Sequence, residues 1–132
     1  VCELHGSIAR WPCTVCGTIY PTAYVLQEEH KPIPYCEACG GLVRPGVVLY
    51  GEGLDPDVLE KSIRAIRDAD TLIVGGTSLV VYPAAGLIDY FQGRHLVLIN
   101  QTETHADASA DLVIRSPIGQ VLKEAVAALP QR

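Results

Sequence analysis

Two Cys-x-x-C pairs, Cys13 with Cys16 and Cys36 with Cys39, stand nineteen residues apart and constrain this 132-residue chain more than any other feature. The spacing matches the C-x₂-C-x₁₅₋₂₀-C-x₂-C pattern of a zinc site. Each pair can bring two thiolates to about 2.3 Å from one ion, and two pairs complete a tetrahedron. Two disulfides or a redox pair would use the same residues, but disulfides require an oxidising compartment, of which nothing in the sequence speaks. Four thiolates close the coordination sphere, so the expected zinc is structural and leaves no position for water or substrate. Cys2 is surplus to the four, and a buried, inert thiol is its expected role.

The cysteines divide the chain by composition. Residues 8–45 are rich in cysteine, proline and glycine without sustained periodicity, as expected of a small zinc-ribbon-like module. Residues 46–130 alternate short apolar runs with amphipathic ones. The runs VVLY (47–50), TLIVG (71–75), HLVLIN (95–100) and DLVI (111–114) read as strands buried on both faces. Between the first two lies a helix over 55–69, capped by Asp55, opened by Pro56 and striped by Leu59, Ile63 and Ile66. PAAGLIDYFQ is a second helix, weakened by Gly86, and GQVLKEAVAAL is a third.

This order predicts an α/β fold with a parallel sheet of βαβ units. Ligands of such sheets bind beyond the carboxyl ends of the strands. The rule selects the loops 51–54, 75–79 and 100–102. In VGGTSL the glycines permit close backbone approach, and Thr77 and Ser78 carry hydroxyls that reach a phosphate or ribose. The full dinucleotide fingerprint is missing, so an ordinary tight connection explains that loop equally well. Asn100, ending the next strand, can hydrogen-bond a ribose.

Charge and length exclude other classes. A net charge of −5 without a basic stripe gives no nucleic-acid surface. Residues 71–88 hold eighteen uncharged positions, but Gly75, Gly76 and Pro83 punctuate them, so a strand, a turn and a helix are expected rather than a membrane span. The chain lacks methionine and begins at Val1, which suggests a fragment or a processed chain with no visible leader.

Taken in order, ELHGS, the two Cys-x-x-C pairs, GGLVRPGVVLYGEGL, GTSLVVYPAAGL, and IN followed by ADLVI resemble the sirtuins, the NAD-dependent protein lysine deacylases. The resemblance runs from Glu3 to about Leu122. It implies a partial Rossmann-like domain, residues 1–7 and 46–132, with the zinc module of residues 8–45 inserted and acyl-lysine peptide bound in the cleft between them. By the same resemblance His5 is the catalytic base. Gly76, Thr77, Ser78, Asn100, Gln101, Thr102 and Ile118 contact NAD, and Val48, Tyr50, Gly51, Glu52, Leu79 and Val81 line the peptide. The family often has phenylalanine at the position of Tyr50 and proline at that of Asp55.

The implied chemistry suits these residues. In sirtuins the acyl amide oxygen attacks the anomeric carbon of NAD, and a ribose hydroxyl must then lose its proton. Histidine side chains titrate close enough to neutrality for that task. The implied products are nicotinamide and O-acyl-ADP-ribose, with cytoplasmic location and no membrane partner, while the oligomeric state is not readable from the sequence. His30, His95 and His105 match no motif and are expected at the surface or in packing. A sirtuin's GAGxS phosphate loop and QNID motif are not among these residues, so the 132 residues alone are expected to be inactive. A zinc-stabilised binding module without turnover and a protein ADP-ribosyltransferase use the same residues and stand as alternatives.

Overall fold

The computed structural model describes residues 1–130. The last two residues of the expected domain 46–132 lie outside it. The chain forms two compact units, Val1–Leu59 and the residues from Glu60 onward.

In the first unit, β1 (Gly6–Ser7) pairs antiparallel with β4 (Gly46–Val47), while β2 (Arg10–Pro12) pairs antiparallel with β3 (Ile19–Pro21). A one-turn helix α1 (Thr22–Val25) follows β3. Bridges from Cys13 to Val43 and from Tyr35 to Leu42 close the ribbon. Cys13, Cys36, Tyr24, Val25 and Val43 form a small core, with Trp11 and Tyr20 packed against it. A core built partly of cysteine sulfur is too small to support itself by burial alone, and a metal fits that need.

The run at 47–50 departs from its expectation. Its composition predicts a strand of the parallel sheet, but only Gly46 and Val47 are in a strand, and their partner is β1. The backbone then turns, with Glu52 N–H donating to Leu49 O at 3.0 Å, and Tyr50 is fully exposed. Apolar composition marked the run as strand, but Gly51 (φ 85°) and Gly53 behind it favour a turn. The rule for carboxyl ends of parallel strands therefore does not apply to residues 51–54.

Helix α2 (Pro56–Arg67) has the expected start. Asp55 Oδ1 accepts from the N–H groups of Asp57 (2.9 Å) and Val58 (3.2 Å), satisfying donors that the first turn leaves open. Leu59, Ile63 and Ile66 are half-buried along one stripe.

The second unit holds a parallel sheet in the order β5 (Thr71–Gly75), β6 (His95–Ile99), β7 (Leu112–Ile114). The register pairs Gly75 with Ile99 and Ile99 with Ile114, so the three strands finish level. Leu79, Ala85, Leu96, Leu98 and Ala106 form the core. Ile73 and Leu112 are about half exposed, so burial on both faces holds for β6 but not for its neighbours.

The second expected helix is a 3₁₀ segment, Ala84–Tyr90. Gly86 in its centre removes the side chain that would favour an α-helical turn, and the tighter winding is the outcome. The third is α3 (Ile118–Ala127), one residue earlier than the motif suggests. No helix among the described residues is long and apolar enough to cross a membrane.

Candidate functional site

The four cysteines converge. Their sulfurs all lie within 4.8 Å of one another, with Cys13 Sγ 3.5 Å from Cys39 Sγ and Cys16 Sγ 3.6 Å from Cys36 Sγ. Sulfurs at the corners of a tetrahedron around zinc stand ~3.8 Å apart, given a Zn–S distance of about 2.3 Å. A disulfide would need about 2.05 Å. The donor set and its spacing thus fit a zinc ion.

Two matching turns bring this about. Gly17 N–H donates to Cys13 O (3.1 Å) and Gly40 N–H to Cys36 O (2.8 Å), with both glycines left-handed, at φ 74° and 72°. That conformation costs glycine little and other residues more, so each Cys-x-x-C-Gly can fold back on itself.

The thiols are unequal. Hydrogen bonds from Thr18 draw Cys16 down to about 6, and the Tyr20 hydroxyl lowers Cys36. A backbone bond from Gly41 lowers Cys39, but the sulfurs of Cys16 and Cys13 outweigh it and push Cys39 up to about 12. Four neighbouring thiolates repel one another, and a dication among them removes the conflict. Cys2, by contrast, is exposed, which corrects the expectation of a buried thiol. It lies before β1, where nothing packs over it.

His5 sits in a turn closed by Gly6 N–H donating to Glu3 O at 2.9 Å. Its imidazole is exposed and makes no hydrogen bond among the described residues. Its carbonyl accepts from Val48 N–H at 3.0 Å, so its backbone is fixed while its ring stays open. Just beyond, Glu52 is gripped by Arg44 and accepts from Leu49 N–H at 2.9 Å. The Arg44 guanidinium and that N–H hold its carboxyl down to about 2. Tyr50 and Gly51 stand exposed at the tip of this loop, with Val48 half-buried at its base.

In the second unit, a cavity of about 220 Å³ opens at the carboxyl ends of the parallel strands. Gly76, Asn100, Gln101 and Ile118 line it, together with Ser116, Pro117 and Gly119. Thr102 lies beside it, its carbonyl and hydroxyl accepting from Asn100 Nδ2 at 3.0 and 3.2 Å. Arg115 donates to Thr102 O (3.1 Å) and pairs with Asp107, so this loop is held by a cation. Gly75 explains the close approach of α3. A Cβ there would come within 2.1 Å of Ile118 Cδ1.

Thr77 and Ser78 flank the cavity without lining it. The Thr77 hydroxyl accepts from Leu79 N–H at 3.1 Å. Leu79 is left-handed (φ 54°) with its side chain in the core, so the backbone is what it can offer a ligand. Val81 is exposed. His95 and His105 are exposed as expected, and His30 is packed against Tyr24.

Arg115, Ser116, Pro117 and Gly119 were not anticipated as part of this site. The proline before a helical pattern was a signal for a helix start at the strand ends.

The Sir2 family model matches residues 1–83, and the chain belongs to the Sir2 family. It is 56% identical over 126 residues to an NAD-dependent protein deacetylase of Clostridium acetobutylicum, covering 96% of this chain and 51% of that protein. A deacetylase of Cutibacterium acnes is 50% identical, with 92% and 49% covered. The chain thus spans about half the length of the relatives it matches.

Among solved structures, a Sir2 homologue in complex with NAD is 41% identical at a TM-score of 0.84, covering 96% of this chain and 50% of that one. Sir2Tm bound to a propionylated peptide is 35% identical, also at 0.84, with 96% and 55% covered. The fold is therefore the α/β sirtuin fold, in part, with its zinc-ribbon-like module.

Proposed function

We propose that the natural protein carrying this chain removes acyl groups from protein lysines in an NAD-dependent reaction. The observation that carries this reading is the cavity of the second unit, where Gly76, Asn100, Gln101 and Ile118 surround one space at the level ends of three parallel strands. Related proteins are named NAD-dependent protein deacetylases. Such strand ends are where nucleotides bind in this fold class.

In this reading Gly76, Thr77 and Ser78 approach the ribose and phosphate region, Asn100, Gln101 and Thr102 hold the adenosine ribose, and Ile118 lies against the adenine. When bound, NAD supplies the electrophilic ribose carbon that takes the acyl oxygen. His5 accepts the ribose hydroxyl proton on an imidazole nitrogen, a role its exposed ring supports. Val48, Tyr50, Gly51, Glu52, Leu79 and Val81 are the residues assigned to acyl-lysine peptide. Glu52 serves chiefly through the loop it braces, since its carboxylate is engaged by Arg44.

Cys13, Cys16, Cys36 and Cys39 hold zinc as a structural ion. Residues 8–45 form that module, and residues 1–7 and 46–132 belong to the nucleotide-binding domain. Thiols used as ligands fit a reducing compartment, so the cytoplasm is the proposed location. Acyl removal makes the protein a group-transfer enzyme whose products are nicotinamide and O-acyl-ADP-ribose.

The test uses the whole natural protein. His5→Ala should keep folding and zinc content while lowering deacylation by about 10² to 10⁴-fold. Nicotinamide exchange should fall less, because the first bond cleavage needs no deprotonated hydroxyl. A variant that keeps most of its deacylation rate overturns the assignment. Labelled ADP-ribose appearing on protein without deacylated peptide would instead identify an ADP-ribosyltransferase.

A further inference from the structure

Tyr20 lies on β3, sixteen residues before Cys36, yet its hydroxyl is 3.2 Å from the Cys36 sulfur. The same hydroxyl accepts from Glu37 N–H at 3.0 Å. That contact occupies an oxygen lone pair and leaves the phenolic proton for the sulfur. A metal-bound thiolate has no proton of its own, so the donation runs from Tyr20 to Cys36.

The ring is held as firmly as the hydroxyl. Tyr20 stacks on Tyr24 with centroids 4.2 Å apart, and Tyr24 stacks on His30 at 3.8 Å. The Tyr24 hydroxyl donates to Tyr35 O at 2.7 Å, at the residue just before Cys36. Two phenols therefore bracket the second cysteine turn, one at the carbonyl ahead of it and one at its sulfur and the following amide. Tyr20 itself belongs to the hairpin that carries the first turn, Cys13 to Cys16.

We propose that Tyr20 is the outer-shell donor of the metal site, orienting the Cys36 thiolate and adding a side-chain contact between the two cysteine turns that the ion joins. The proposal rests on the zinc reading of the cluster. Outer-shell partners fix ligand orientation, and losing one typically weakens metal binding by about 10 to 100-fold.

The test compares the whole natural protein with Tyr20→Phe, which keeps the ring stack and removes one oxygen. Zinc per chain is measured first, then zinc affinity by competition with a chromogenic chelator. The expected result is full occupancy in the parent and affinity lowered about 10 to 100-fold in the variant. Tyr24→Phe, which loses a bond to a carbonyl and none to sulfur, should change affinity less. Cobalt replacement gives a readout of the sulfur itself, because the thiolate-to-cobalt absorption band should shift in Tyr20→Phe and stay put in Tyr24→Phe. Should Tyr20→Phe fold poorly, 3-fluorotyrosine at position 20 keeps the ring and strengthens the donor, and the band should then move the opposite way.

Unchanged affinity together with an unshifted band overturns the role of Tyr20 while leaving the zinc site standing. A parent protein without zinc overturns the metal reading, and the proposal with it.

Discussion

Arg44 holds Glu52 with both terminal nitrogens, Nη1 to Oε1 at 2.5 Å and Nη2 to Oε2 at 3.0 Å. The same carboxylate accepts from Leu49 N–H, so one ion pair shapes the loop that carries Tyr50 and Gly51. Two parallel charge-assisted bonds fix direction as well as distance. Glu52 titrates at about 2, below its ordinary 4.5. A lowered carboxylate stabilises the fold above its unfolded value, and that contribution is lost as pH falls through the folded one. The loop should therefore remain closed at neutral pH and open between about pH 4.5 and 2. Hydrogen exchange at the Leu49 amide reads this directly. Glu52→Ala should abolish its protection at neutral pH, and an amide still protected in that variant would refute the role.

Removing the metal should unfold the cysteine module. Its core includes Cys13 and Cys36, so stripping the ion leaves mutually repelling sulfurs inside that packed cluster. Trp11 packs against that core and is the single tryptophan of the chain. A chelator should redden its fluorescence, and zinc should reverse the change. An emission spectrum unmoved by complete zinc loss would contradict this.

Gly6→Ala should destabilise the first unit by more than about 1 kcal/mol. Gly6 is left-handed at φ 75°, and an added Cβ would fall 2.0 Å from the backbone oxygen of Gly46. No side-chain rotation relieves a clash with backbone, so the β1–β4 pair must part. Urea unfolding of the two proteins measures the difference, and equal midpoints would rule out the clash.

Leu98 is 1% exposed in the centre of the parallel sheet. Leu98→Ala should cost about 2 to 5 kcal/mol through lost transfer energy and the cavity left behind. Denaturant midpoints provide the measurement. A loss under about 1 kcal/mol would mean that the neighbours collapse into the space.

Features written by neighbouring residues were the legible ones. TLIVG and HLVLI announced their strands through unbroken β-branched and leucine runs, and Asp55-Pro56 announced the start of α2. The cysteine cluster was readable because a metal site imposes a fixed spacing on its own turns. What escaped depends on partners far along the chain. Tyr20 reaches Cys36 across sixteen residues, Arg44 reaches Glu52 across eight, and Arg115 reaches Thr102 across thirteen. Such pairs leave no period in the sequence. The run at 47–50 misled for the same reason, since its apolar composition says nothing about which strand it will meet.

The short ladder of β1 and β4 continues by one bond, from Val48 N–H to the carbonyl of His5. The residue proposed as base and the first residue of the loop proposed to bear substrate are thus the two ends of one rung. One backbone hydrogen bond therefore couples the two positions inside the first unit. Their spacing is set by a peptide hydrogen bond whose donor and acceptor survive every substitution at either position except Val48→Pro.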